Sequence, residues 1–213
     1  MLIVNVSTMT TAPLNGADIP SRREGIVNAA SETFLRYGYA RTTMADLAKA
    51  AGLSRPLLYL EFQDKADVFR AVAEQVAREL ERRIRAELDA LPNLRTQLNL
   101  ACEIWVVETF DLISAHPDAK DFFDLGPELL GQSYDAFEVL IADILSRAGA
   151  KQARALARLL VSASKGFKES ASDGKDLRKL LQLQIDALVG YIERNAHAAA
   201  APHAPCVRRT RRQ

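Results

Sequence analysis

Residues 42–65 read TTMADLAKAAGLSRPLLYLEFQDK, and their spacing describes two short helices joined by a tight turn. Thr43 caps the first helix, and Asp46 three residues later completes a capping-box spacing. Leu47, Ala48 and Ala51 form its inward face at helical intervals. Gly52 ends it, because the turn wants a left-handed backbone that glycine adopts cheaply. Leu53 plugs the turn, Ser54 caps the next helix, and Pro56 falls in its first turn, where a missing N–H is harmless. Leu58 and Phe62, four apart, point to the core, which leaves Arg55, Leu57 and Tyr59 outward. A helix–turn–helix needs this arrangement to set the start of its second helix in a major groove.

Upstream, residues 22–37 form an amphipathic helix with Ile26, Ala30, Phe34 and Tyr37 on one stripe, stopped by Gly38. Downstream, Asp64 and Lys65 open a long helix. Phe34, Gly38–Tyr39, Thr42–Thr43, Leu47–Ala48, Ala51–Ser54, Leu58–Tyr59, Phe62 and Lys65 together resemble the N-terminal domain of the tetracycline-repressor (TetR) family, over about Ser21 to Val72. The resemblance implies that Thr42 and Thr43 contact phosphate at a helix start, where N–H groups favour anions. It implies a base-edge role for Arg55, a thymine-methyl contact for Leu57 and phosphate contacts for Tyr59 and Lys65, with Arg41 adding to the backbone contacts and Ser54 and Pro56 on the same surface. The chain departs from the family where His or Tyr often follows the tyrosine: it has Leu60 and Glu61. A carboxylate aimed at phosphate weakens binding, so Glu61 is expected to turn aside toward a nearby Arg or Lys, or to accept a hydrogen bond from cytosine.

The rest of the 213 residues fits one all-α chain. Helices are expected at 22–37, 43–50, 54–61, 65–90, 95–115, 119–124, 127–147, 151–170 and 174–195, with no alternating strand pattern and no repeat. The expected organisation is a disordered arm (1–20), a three-helix DNA-binding domain (21–66), a larger helical ligand-binding and dimerisation domain (67–195) and a disordered basic tail (196–213). No apolar run approaches the ~20 residues of a membrane helix, the start lacks a secretory signal, and two cysteines make no disulfide framework. A cytoplasmic protein without a membrane partner is the expectation. Net charge is only +1, yet residues 21–65 hold seven Lys/Arg against five Asp/Glu, while residues 96–148 hold two against ten. The acidic block hides a mildly basic head, and local charge matters most because screening cuts off beyond ~8 Å.

Three scattered histidines and the absence of a glycine-rich phosphate loop or Cys-x-x-Cys pair leave no catalytic or metal set, so neither an enzyme nor a cofactor is expected. Trp105, Glu108, Thr109, Phe122, Phe123, Leu130, Tyr134 and Phe137 are the candidate ligand lining; a neutral hydrophobic effector is expected, or a lipophilic cation if acids point inward. Leu156, Leu160, Ala163 and Phe167 on one late helix, with Leu181, Gln184, Leu188 and Tyr191 on the next, are the candidate homodimer face. The reading is therefore a dimeric transcriptional regulator, a repressor that binds a near-palindromic DNA operator and is released by a small molecule. The alternative is a helical small-molecule-binding or protein-interaction module without specific DNA binding.

Overall fold

The computed structural model describes residues 21–200, with side chains to residue 195, and is helical throughout them. The expectations for the arm (1–20) and most of the basic tail lie outside the described residues. α1 (Arg22–Tyr37), α2 (Met44–Ala50) and α3 (Arg55–Glu61) precede the long α4 (Lys65–Leu88). Then follow α5 (Leu94–Cys102), α6 (Glu108–Ser114), a 3₁₀ segment (Pro117–Asp124), α7 (Pro127–Arg147), α8 (Ala153–Ser170) and α9 (Gly174–Ala200). The single helix expected over 95–115 is interrupted: Glu103–Val107 is a π turn between α5 and α6. A hydrophobic pattern cannot reveal one extra residue in a turn, and such turns are frequent at functional sites.

Local chemistry sets the ends. Ser21 and Glu24 form a capping box on α1, Thr43 and Asp46 another on α2, and Asp64 accepts from the Asp67 N–H at the start of α4. Each cap satisfies N–H groups that a helix start otherwise leaves unpaired. Ser54 departs from expectation, since it holds the N-cap position of α3 but its side chain makes no capping bond. Gly52 has φ +67°, as the turn demands.

Two cores share α4. Its first turns put Val68, Phe69 and Val72 among Ile26, Phe34, Leu47, Leu58 and Phe62 of the head. Its later turns put Leu80, Ile84 and Leu88 among residues of α5 to α9. The boundary drawn at residue 66 thus falls within the first turn of a continuous helix. Tyr37, expected on the buried stripe, is exposed, and Val27 and Thr33 are buried in α1 instead. Cys102 is buried as a small apolar group, and burial pushes its thiol up to about 12.

The 3₁₀ segment packs across the α1–α2 turn. Asp121 accepts from the N–H groups of Tyr39 (3.2 Å) and Ala40 (2.7 Å), and Arg41 pairs with Asp118. Gly38 is needed twice there. Its φ of 79° and ψ of 164° lie where essentially only glycine goes, and a Cβ on it would strike the Asp118 carbonyl oxygen. Gly166 of α8 is exposed with open space where a Cβ would stand.

Gly38→Ala is expected to destabilise the chain by about 1–3 kcal/mol for the backbone alone, with the clash in addition. Gly25→Ala, inside α1 with nothing near its absent Cβ, should stabilise by roughly 0.5–1 kcal/mol. Denaturant unfolding of the two variants measures both signs.

Candidate nucleic-acid interface and ligand cavity

α3 is held from one side only. Leu58 and Phe62 are buried, while Tyr59 is 47% and Leu60 76% exposed. Ser54, Arg55, Pro56 and Leu57 are exposed beside them, and Arg55 has no ion-pair partner among the described residues. A guanidinium held at the start of an exposed helix keeps all its donors for an outside acceptor. Glu61 turns toward α1: its carboxylate lies 3.7 Å from Arg22, and Arg23 donates to its carbonyl while stacking 4.0 Å over Phe62. Leu60 joins this surface although the candidate DNA residues omit it. The signal was present, because a helix that buries Leu58 and Phe62 must turn the residue midway between them outward.

Four expected phosphate contacts sit differently. Thr42 is buried, and its hydroxyl donates to the Gly38 carbonyl at 2.6 Å, so that group is spent inside the head. The Lys65 ammonium donates to the carbonyls of Tyr39 (2.8 Å) and Ala40 (3.2 Å) and lies 4.4 Å from the Tyr39 ring centroid. It therefore ties α4 to the α1–α2 turn. Arg41 donates from Nε to the Tyr37 carbonyl at 3.1 Å as well as pairing with Asp118, which draws it toward the 3₁₀ segment. Thr43 stays exposed, but its hydroxyl donates to Asp46 at 2.6 Å. That bond and the one from the Thr43 N–H hold the Asp46 carboxyl below its ordinary value. The cap is thus complete above the ordinary carboxylate range and is lost as pH falls through the lowered value.

A cavity of about 390 Å³ lies between α1, α4, the π turn, α6, the 3₁₀ segment, α7 and α8. Of the expected lining, Trp105, Glu108, Thr109, Phe122, Phe123, Leu130 and Tyr134 face it. Phe137 does not: it is buried behind Trp105, with the two rings stacked 4.8 Å apart. The head also contributes wall, through Ser31, Phe34 and Leu35 of α1 and Phe69 and Val72 of α4. Lys165 and Lys168 of α8 complete it. These were missed because lysines in an amphipathic pattern read as a solvated face. The inward acid Glu108 is already matched, with Arg83 donating to both its oxygens at 3.0 and 3.2 Å.

On α8 and α9 the candidate dimer residues divide. Leu156, Leu160, Leu181 and Leu188 are buried in the chain's own core, and Ala163 and Phe167 are half-buried. Gln184 turns inward too, donating to the carbonyls of Leu159 and Leu160 at 3.4 Å. Outward stand Leu159, Leu183 and Tyr191, at 59%, 70% and 42% exposure.

Residues 26–72 match the family model described as bacterial regulatory proteins, tetR family. The probable HTH-type transcriptional regulator ArpR of Pseudomonas putida is 36% identical over 81 residues, 36% of this chain and 39% of that protein. The HTH-type transcriptional repressor ComR of Escherichia coli K12 is 40% identical over 53 residues, 25% of each chain. The chain thus spans well under half the length of these curated relatives. Among solved structures, the fatty acid degradation regulator FadR of Bacillus halodurans has a TM-score of 0.60 at 16% identity, covering 81% of this chain and 96% of that one. FadR of Bacillus subtilis in complex with stearoyl-CoA has a TM-score of 0.58 at 17% identity, covering 78% and 96%. At these identities the likeness is one of fold.

Thr43→Ala removes the cap and is expected to cost about 1 kcal/mol of stability. The Asp46 carboxyl should then titrate closer to its ordinary value, which NMR titration of the two proteins measures directly; an unmoved Asp46 would reject the capping account.

Proposed function

We propose that this chain, a tetR-family protein by its residues 26–72, is a dimeric transcriptional regulator that grips a near-palindromic operator and releases it when a small hydrophobic molecule fills the cavity. Regulation rather than catalysis is the proposed role, in keeping with curated relatives that are transcriptional regulators. The observation that carries the reading is the shared wall: α1 and α4 of the DNA-binding head line the same cavity as α6, α7 and α8. Any molecule filling that space touches the head itself.

The outward stripe of Leu159, Leu183 and Tyr191 supports a two-fold pairing of α8 and α9 between two copies. Two heads then read half-sites about 34–36 Å apart. On each, Arg55 donates to a base edge, while Ser54, Tyr59 and the α2 start seat the helix on phosphate. The 3₁₀ segment carries the coupling, since Phe122 faces the cavity and packs on Phe69 of the head. Asp121 on the same segment holds the α1–α2 turn. A tenfold loss of operator affinity requires ~1.4 kcal/mol of difference in ligand binding between the two arrangements. The stearoyl-CoA held by FadR of Bacillus subtilis lends support to an apolar ligand in this fold.

Selection of bound duplexes from a random pool is expected to enrich a palindrome, and Arg55→Ala should weaken binding to it by about 1–3 kcal/mol per half-site. Binding that enriches nothing and simply vanishes with salt would contradict the reading. Leu183→Glu should convert the dimer to monomer in sedimentation, because symmetry loses two buried leucines worth about 1.5–3 kcal/mol each. An unchanged dimer would place the interface elsewhere.

A further inference from the structure

We propose that the cavity is built for an amphipathic anion: an apolar chain ending in an anionic group that Lys165 and Lys168 hold. This rests on the cavity being a ligand site, as above, and names the ligand's chemistry. The two lysines lie three residues apart on α8, so they share a face of that helix, and both are half-buried at the cavity wall. Both ammonium groups meet the ring of Tyr134 of α7. The Lys165 ammonium is 3.9 Å from its ring centroid and that of Lys168 is 5.0 Å away, and Lys168 also donates to the phenol oxygen at 3.1 Å.

Among the described residues neither lysine has a carboxylate within ion-pair distance. Two like charges on one aromatic ring repel, and an aromatic face offsets only part of that. An anion between them removes the repulsion and supplies the missing acceptor.

The acids on the same wall do not fill this role. Glu108 is committed to Arg83 by two hydrogen bonds, and Glu169, an exposed residue that also lines the cavity, is not within ion-pair distance of either lysine. A lipophilic cation, the alternative that the acidic run left open beside a neutral effector, would therefore meet two ammonium groups. The remainder of the wall is mainly aromatic and aliphatic, and about 390 Å³ falls within the range of small-molecule sites. The mainly apolar wall thus carries two ammonium groups that lack a carboxylate partner.

The test uses the full chain and its single tryptophan, Trp105, which faces the cavity. Its fluorescence is followed during titration with dodecanoate, dodecanol, dodecyltrimethylammonium and dodecanoyl-CoA, each below its micelle concentration. Dodecanoate is expected to bind at least about tenfold more tightly than dodecanol. The double variant Lys165→Gln, Lys168→Gln should lose that preference while still binding dodecanol, which shows its cavity intact. Dodecanoyl-CoA binding with the same lysine dependence assigns the anion to a carrier's phosphates; dodecanoate alone assigns it to a free carboxylate. The proposal is overturned if dodecanol or the ammonium compound binds as well as both dodecanoate and dodecanoyl-CoA, if the preference for the anion survives in the double variant, or if no probe binds. If dodecanoate binds through the lysines yet operator affinity does not change, the anion site stands and the effector reading fails.

Discussion

Two hydrogen bonds donated by a turn in the head to a short 3₁₀ segment tie the two halves of this structure together. The Asp121 carboxylate accepts from consecutive N–H groups, those of Tyr39 and Ala40, which no helix of the head pairs. Lys65 takes up the carbonyls of the same two residues from the other side. The α1–α2 turn is therefore fixed by one charge from the C-terminal helices and one from α4. Charge-assisted bonds of this kind are roughly twice as strong as neutral ones. The α2 start, which faces outward, takes its position from that clamp.

An aromatic series continues the connection into the core. Phe34 and Tyr39 of the head meet Phe69 of α4 edge-on at 5.1 Å, and Phe69 meets Phe122 of the 3₁₀ segment at 5.3 Å. Phe122 and Phe123 in turn face the cavity. Close-packed rings transmit displacement because the interior has few voids to absorb it. The head and the cavity share both a wall and a brace, so α4 is only part of the link.

Much of the fold was legible because its signals are local. Thr43 with Asp46, Gly52, Pro56 and Gly38 each act within one turn of chain, and the helix limits fall within a few residues of where those signals place them. What the sequence concealed depended on partners distant along the chain. Thr42 and Lys65 look like free donors until the carbonyls of Gly38, Tyr39 and Ala40 come within reach. Arg41 looks exposed until Asp118 arrives. The π turn leaves no trace in hydrophobic spacing. On α8 an apolar stripe wide enough for two faces cannot tell which flank meets its own chain; Leu156 and Leu160 went inward and Leu159 outward. The cavity's aromatic residues announced themselves, while its lysines acquired meaning only when α7 set Tyr134 against them.

Filling the cavity is expected to disturb the clamp on the α1–α2 turn. Amide hydrogen exchange at Tyr39 and Ala40 measures it most directly, with the cavity empty and with dodecanoate or dodecanol bound as reported by Trp105. Exchange at these two amides should change several-fold on binding while the amides of Leu181 and Ile185 in α9 keep their rates. Asp121→Ala should abolish that response. A cavity demonstrably occupied, with exchange at Tyr39 and Ala40 unaltered, would contradict it.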